Sequence, residues 1–209
     1  MAKTAIPTKR RGRKARKRER IHAPIIHRPT LVLNIPVYDI LDEERVELVH
    51  ETAMSILEET GCEFREAESI ALWRDVGADI TEQRVRIPRE LLMSLINQVP
   101  AEWEYHARNP ERNARVGGKN MVFGPAYATP TIVDLEGVRR KATLEDLKTL
   151  IKLNHAVPIY HYNGGYNVEP MDIPVPHRHL HMVYTSVNFS DKPIMFGVIS
   201  RSAAEDSLY

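Results

Sequence analysis

The sequence predicts an α/β fold, a parallel sheet covered by helices, and three observations carry that expectation. Short apolar runs, MVFG at 121–124, PIYHYNGG at 158–165 and KPIMFGVIS at 192–200, read as strands near 120–124, 159–163 and 193–199. Helical patterns follow each of them: TLEDLKTLIKLNHAV, then PHRHLHMVYTSVNF, then the start of a third at Ser202-Ala-Ala-Glu205. Glycine- and proline-marked loops separate them, GPAYATP after the first run and VEPMDIPVP after the second. Apolar strands alternating with helices are the pattern of a sheet buried on both faces.

The chain begins with a basic arm. Residues 1–20 hold four Lys and six Arg against Glu19, which leaves 19 of the 29 basic residues facing 27 of the 28 acidic ones, a net of −8 for the remainder. An arm (1–22) so poor in apolar residues cannot offset the entropy of ordering and is expected to lack a fold of its own. Phosphate neutralisation is open to it, but no aromatic is interleaved to stack bases, so nucleic acid is not the expected partner. Acidic surface on its own body or on a neighbouring subunit would serve equally. No apolar core marks a secretory signal, and no run approaches the ~20 residues needed to span a bilayer. The single cysteine, Cys62, excludes an internal disulfide framework and suits a reducing cytoplasm.

Residues 23–115 read as a helical region with a little sheet. IHAPIIHRPTLVLNIPVYDIL is extended and proline-marked, suited to lying across another surface. In the next stretch Val46, Val49, Ala53, Ile56 and Leu57 recur at helical spacing, with Asp42 as N-cap and Gly61 as stop. EAESIALWRDVG is a second helix ending at Gly77. Val85 and Ile87 alternate as a strand, Pro88 opens a third helix through Leu91, Leu92, Leu95 and Ile96, and Trp103 and Tyr105 alternate as a half-exposed strand.

From residue 116 onward the strand–helix alternation begins. TIVDLEGVRRKA reads as a hairpin turning at Glu136-Gly137, and Thr143 with Asp146 forms a capping box for the helix that follows. Ser202 with Glu205 forms another. Three strands with a short third helix predict the amino-terminal portion of a larger α/β protein. In such folds ligand-binding groups gather at the carboxyl ends of the strands. Tyr127 and Thr129 stand on the loop after the first strand, where a plain turn is the alternative reading; Tyr162, Asn163 and Tyr166 stand around the end of the second.

Two other constellations are weaker. His177 and His181 share a helix face, with His179 between them, but no acidic residue follows at zinc-protease spacing, so no metal is expected. Gly164-Gly165 could approach a phosphate, yet lacks a third glycine or a following Lys-Ser/Thr.

Several stretches resemble the trimethylamine methyltransferase family, the corrinoid-dependent enzymes that demethylate methylamines and quaternary amines. They are RRGRKARKRE, HETAMSILEETG, RVRIP, YHARNPERNARVGGKNMVFGPAYATPTIVDLEGVRRKATLEDL and SDKPIMFGVIS; the most specific part is FG followed by VDLEGVRRKATLEDL. IKLNHAVP, with Asn154 and His155, departs from the family's tendency toward an acidic residue and small residues there. The resemblance implies a TIM (β/α)8 barrel preceded by a helical segment, with residues 116–209 as its first βα units. It implies methyl transfer from a methylated or quaternary amine to the Co(I) of a corrinoid (cobalamin) on a partner protein, in methylamine metabolism of the methanogenic kind. The corrinoid is supplied by the partner and not bound covalently here, and the full-length form is expected to be a homo-oligomer. Aromatic faces suit a quaternary ammonium, so Tyr127, Thr129, Asn163 and Tyr166, near the strand ends, are the expected substrate-binding residues; the alternative is that the tyrosines merely cap the barrel. The competing class is a non-catalytic assembly module whose basic arm engages an acidic partner.

Overall fold

The computed structural model describes residues 24–208 except 37, 128, 166, 196 and 198. The basic arm therefore lies outside the described residues. The described residues form two compact units: 33–103 with 117–119, and 24–32 with 104–116 and 120–208.

In the smaller unit, helix α1 (Glu43–Ser55) starts where the Asp42 carboxylate accepts the Arg45 N–H, as its sequence predicts. It runs into a π-helical turn, Ile56–Thr60, that ends at Gly61. Gly61 has φ +69°, and a Cβ there would lie 2.4 Å from the Val85 carbonyl oxygen, so no other residue fits without displacing the sheet. Strands β2 (Cys62–Glu63), β3 (Asp79–Thr81) and β4 (Arg84–Arg86) form a sheet in the order β2-β4-β3, both pairings antiparallel. Between β2 and β3 lies α2 (Ala67–Asp75), and after β4 comes α3 (Arg89–Ile96). Arg89 ties α3 to α1 through Glu51 at 2.7 Å and to the π-helical turn through Glu58 at 3.2 Å.

Strands β5 (Glu102–Tyr105) and β6 (Ala114–Gly117) follow along the chain, and in the larger unit strand β1 (Leu31–Val32) pairs antiparallel with β7 (Asn120–Met121). The hairpin of β8 (Thr131–Val133) and β9 (Arg139–Lys141) forms as its sequence predicts. Helices α4 (Leu144–Ala156), α5 (Val175–Phe189) and α6 (Arg201–Leu208) follow. Ala142, Leu147, Ile151, Val168 and Met182 form the core of this unit, with Ile132, Leu144, Leu150 and Phe189 packed against it.

The fold is mixed α/β, and the described residues do not form a TIM barrel. Neither 159–163 nor 193–199 contains a regular strand among its described residues. What exists instead is three extended segments side by side. The His161 N–H donates to the Phe123 carbonyl at 2.8 Å and the Glu169 N–H to the Thr129 carbonyl at 2.9 Å. The Asn163 N–H donates to the Pro193 carbonyl at 2.8 Å, and the Met195 N–H to the Gly164 carbonyl at 3.3 Å. In each pair the residue numbers rise together, so the segments run in one direction, and Thr129 and Val168 make a parallel bridge. The ladders are interrupted for a local reason. Pro125, Pro158 and Pro193 have no N–H to contribute, and Gly164 turns out of the extended region at φ +74°.

Capping shows where local chemistry decides. Thr143 and Asp146 make both bonds of the capping box at the start of α4. Asp146 is further gripped by Arg140, with Nη1–Oδ2 at 2.6 Å and Nη2–Oδ1 at 2.8 Å. That charge-assisted fork, aided by Thr143, holds the Asp146 carboxyl well below the usual carboxylate range. A depressed folded-state pKa means that the stabilisation is complete above the ordinary Asp range and is lost as pH falls through that range toward the folded value. Thr143→Ala is expected to cost about 1 kcal/mol, and Asp146→Asn to flatten the acid limb of stability against pH; urea midpoints between pH 2 and 7 would check both. At α6 the expected cap is displaced. Ser200, not Ser202, accepts the Ala203 N–H at 3.1 Å, because the helix begins at Arg201.

Candidate substrate-binding rim

The carboxyl ends of the first two segments meet around the loop that carries Tyr127 and Thr129. Three glycines allow the approach. A Cβ on Gly124 would lie 2.2 Å from the Tyr162 ring, one on Gly164 2.9 Å from the Pro125 side chain, and one on Gly165 2.8 Å from the Met195 carbonyl oxygen. Gly164-Gly165 thus serves close packing of neighbouring segments, which accounts for the pair without a phosphate. Tyr162, one of the aromatics expected near the rim, lies against Gly124 with its ring centroid 6.1 Å from that of Tyr105. Burial, then the neighbouring Tyr162, pushes the Tyr105 hydroxyl up to about 12.

Tyr127 is half exposed at 49%. Thr129 is exposed and shares its parallel bridge with Val168. Asn163 is fully buried at 0% exposure, and neither its amide nitrogen nor its amide oxygen has a hydrogen-bond partner. A buried amide lacking both bonds is costly, which sets Asn163 apart from most buried polar groups. Tyr166 lies outside the described residues. Tyr127 and Thr129 thus stand on one segment and Asn163 on the segment that adjoins it.

Two supports of this rim were not foreseen from the sequence. The Asn154 Nδ2, at the end of α4, donates to Asn167 Oδ1 at 2.9 Å, and Asn167 Nδ2 in turn reaches the Ala126 carbonyl at 3.4 Å. This amide relay joins α4 to the loop beside Tyr127. The available signal was an Asn in the last turn of an otherwise amphipathic helix, a position that polar residues more often occupy facing solvent.

A charged cluster around Asp191 and Lys192 is equally unforeseen. Arg112 Nε lies 2.8 Å from Asp191 Oδ1, an ion-pair contact that lacks the alignment of a hydrogen bond. His155 Nδ1 is 3.3 Å from the same oxygen. Burial lowers the His155 pKa, against the pull of Asp191. Lys192, 1% exposed, donates from Nζ to the Asn154 carbonyl at 2.7 Å and the Val157 carbonyl at 2.8 Å, closing the carboxyl end of α4. Next to it, His161 accepts the Phe123 N–H at Nδ1 (3.0 Å), so Nε2 carries the proton and donates to the Pro29 carbonyl at 3.1 Å. These contacts join segments far apart in the chain.

Of the histidine triplet, His179 pairs with Asp206 at 3.1 Å and so links α5 to α6. Among the described residues no group of three His, Cys, Asp or Glu is placed to hold a metal ion. Nor is any described helix long and apolar enough to cross a membrane.

The chain is similar to known proteins along most of its length. A trimethylamine methyltransferase (MTTB) family model matches residues 9–209. A glycine betaine methyltransferase of Desulfitobacterium hafniense (strain Y51) is 43% identical over 174 residues, 83% of this chain and 36% of that protein. The trimethylamine methyltransferase MttB of Desulfitobacterium hafniense (strain DSM 10664 / DCB-2) is 25% identical over 55% of this chain and 24% of its own length. A proline betaine:corrinoid methyltransferase of Eubacterium limosum is 23% identical over 75% of this chain and 32% of its own length. The chain thus spans about a third or less of each relative. With nearly all of its residues matched, the chain belongs to the trimethylamine methyltransferase family.

Proposed function

We propose that this chain forms part of a methyltransferase that moves a methyl group from a quaternary amine of the betaine class to a corrinoid held by a partner protein. The single observation that carries the reading is the rim. Tyr127 and Thr129 stand on one segment and Asn163, with a buried unpaired amide, on the adjoining one, in a chain 43% identical to a glycine betaine methyltransferase. Tyr166 belongs to the same proposed set. On this reading residues 116–209 supply the first βα units of a TIM barrel, after a basic arm at 1–22 and a helical region at 23–115, and the complete protein is a homo-oligomer.

The chemistry asks little covalent work of the protein. When present on its carrier, the corrinoid supplies the nucleophile as Co(I). The methyl C–N bond breaks with its electron pair leaving on nitrogen, so a quaternary ammonium departs as a neutral tertiary amine without needing a proton. The side chains must hold the cation in line. The Tyr127 face suits that charge, a contact of about 0.5–2 kcal/mol depending on desolvation. Asn163 offers a donor and an acceptor held in a fixed place.

The test is methyl-cobalamin formation followed by absorbance, with the complete reading frame that carries this sequence and glycine betaine, proline betaine or trimethylamine as donor. Turnover is expected with a betaine, and Tyr127→Ala is expected to raise KM for it about 2–30-fold. The 209-residue chain by itself is expected to be inactive, because its segments line one side of a site with nothing opposite. Absence of turnover by the complete protein with all three donors, or full activity in the 209-residue chain, would overturn the reading.

A further inference from the structure

Between the first extended segment and α4 the chain inserts the β8–β9 hairpin, where a βα connection commonly needs about 2–6 residues. Its two faces differ. On the inner face Ile132 packs on the core and Arg140 is held by Asp146 at 2.6 Å and by Asp134 at 3.8 Å. Strand alternation places the pairs Val133–Arg139 and Thr131–Lys141 on the other face. The exposed aliphatics cluster there and at the tip: Val133 is 64% exposed, Val138 56% and Leu135 102%. The tip is nevertheless rigidly built. Asp134 Oδ1 accepts the N–H groups of Glu136 at 3.1 Å and Val138 at 2.8 Å, and Gly137 takes φ +84°. An ordered turn that holds Leu135 out into solvent is preorganised for contact.

We propose that the outer face and tip of this hairpin dock the protein that carries the methyl-accepting corrinoid, through an apolar groove edged by carboxylates on that partner. The inference rests on the function proposed above. Its occupant follows from geometry. In-line methyl transfer needs donor and acceptor atoms about 3–3.5 Å apart, so the carrier must press on the rim that holds the substrate. The base of the hairpin is part of that rim: the Ala142 N–H donates to the Pro130 carbonyl at 3.1 Å, and the Met171 N–H to the Ala142 carbonyl at 2.8 Å, next to the Thr129–Val168 bridge. Arg139 and Lys141 favour an acidic partner and would speed its approach.

The test uses the complete protein with two double variants, Val133→Ser with Leu135→Ser, and Arg139→Glu with Lys141→Glu. Both alter exposed side chains. Three quantities are measured: direct binding of the purified corrinoid protein, KM for that protein, and turnover with free cob(I)alamin as acceptor. Binding is expected to weaken and KM for the carrier to rise at least tenfold in each variant. Turnover with free cob(I)alamin and the thermal midpoint should stay as in the wild type. Absence of wild-type turnover with either acceptor would count against the proposed function, whereas carrier binding is read independently of turnover. Unchanged carrier binding in the variants would overturn the hairpin proposal. So would an equal loss with free cob(I)alamin, or a Leu135→Cys thiol that does not label in the complete protein because another part of the chain or a second copy covers it.

Discussion

Lys192→Met should lower stability by about 2–5 kcal/mol, read as a shift in urea midpoint at constant m-value. Methionine keeps much of the length of the side chain, so the loss reports on the ammonium. Without it the Asn154 and Val157 carbonyls lose donors at 2.7 and 2.8 Å, and each buried acceptor left bare costs about 1–3 kcal/mol. The positive charge also sits at the carboxyl end of α4, where the helix dipole favours a cation. Burial, and then the charge of Arg112, push the Lys192 pKa down to about 8, against the pull of Asp191. The folded chain therefore releases this proton near pH 8, while the unfolded chain keeps it to the ordinary lysine value of 10.5. Between those values the unfolded state binds more protons, so this group's contribution to stability rises with pH. Wild-type stability minus that of Lys192→Met should increase from pH 8 to 10.5. A flat difference would mean that the amine is solvated and titrates normally.

Gly124→Ala is the second large effect expected. Its φ lies outside the left-handed region, so the cost is one of space. The new methyl group would meet the Tyr162 ring at 2.2 Å, and that ring is backed by Tyr105. Overpacking of this sort costs about 1–3 kcal/mol, and Gly124→Val should cost more. Tyr162→Ala should be destabilising in an otherwise wild-type chain but should remove most of the penalty of Gly124→Ala, a coupling measured by a double-mutant cycle. Strict additivity of the two substitutions would show that the ring does not rest on the glycine. This contact also gives a physical meaning to the Phe123-Gly124 pair on which the family resemblance partly rests.

Elements held by contacts a few residues apart were legible in the sequence. Asp42 caps α1, Thr143 and Asp146 box the start of α4, and the 131–141 hairpin turns through Asp134 and Gly137, because each needs only bonds spanning three or four residues. The family was legible too, since its motifs lie in continuous stretches. Tyr127, Thr129 and Asn163 were expected near strand ends from the strand–helix order alone. Their partners could not. That Asn163 has an unpaired amide, that Asn154 reaches Asn167, and that Lys192 turns inward to cap a helix 38 residues earlier are consequences of packing. A lysine in the sequence carries no mark of burial, because its long side chain suits water equally well. The runs at 159–163 and 193–199 have strand-like residues, yet Pro158, Pro193 and Gly164 limit the bonds that adjacent backbones can share. Local hydrogen bonding and apolar spacing thus determined where the helices and the hairpin lie. Tertiary structure decided which backbones meet, because pairing of extended segments depends on donors and acceptors far apart in the chain.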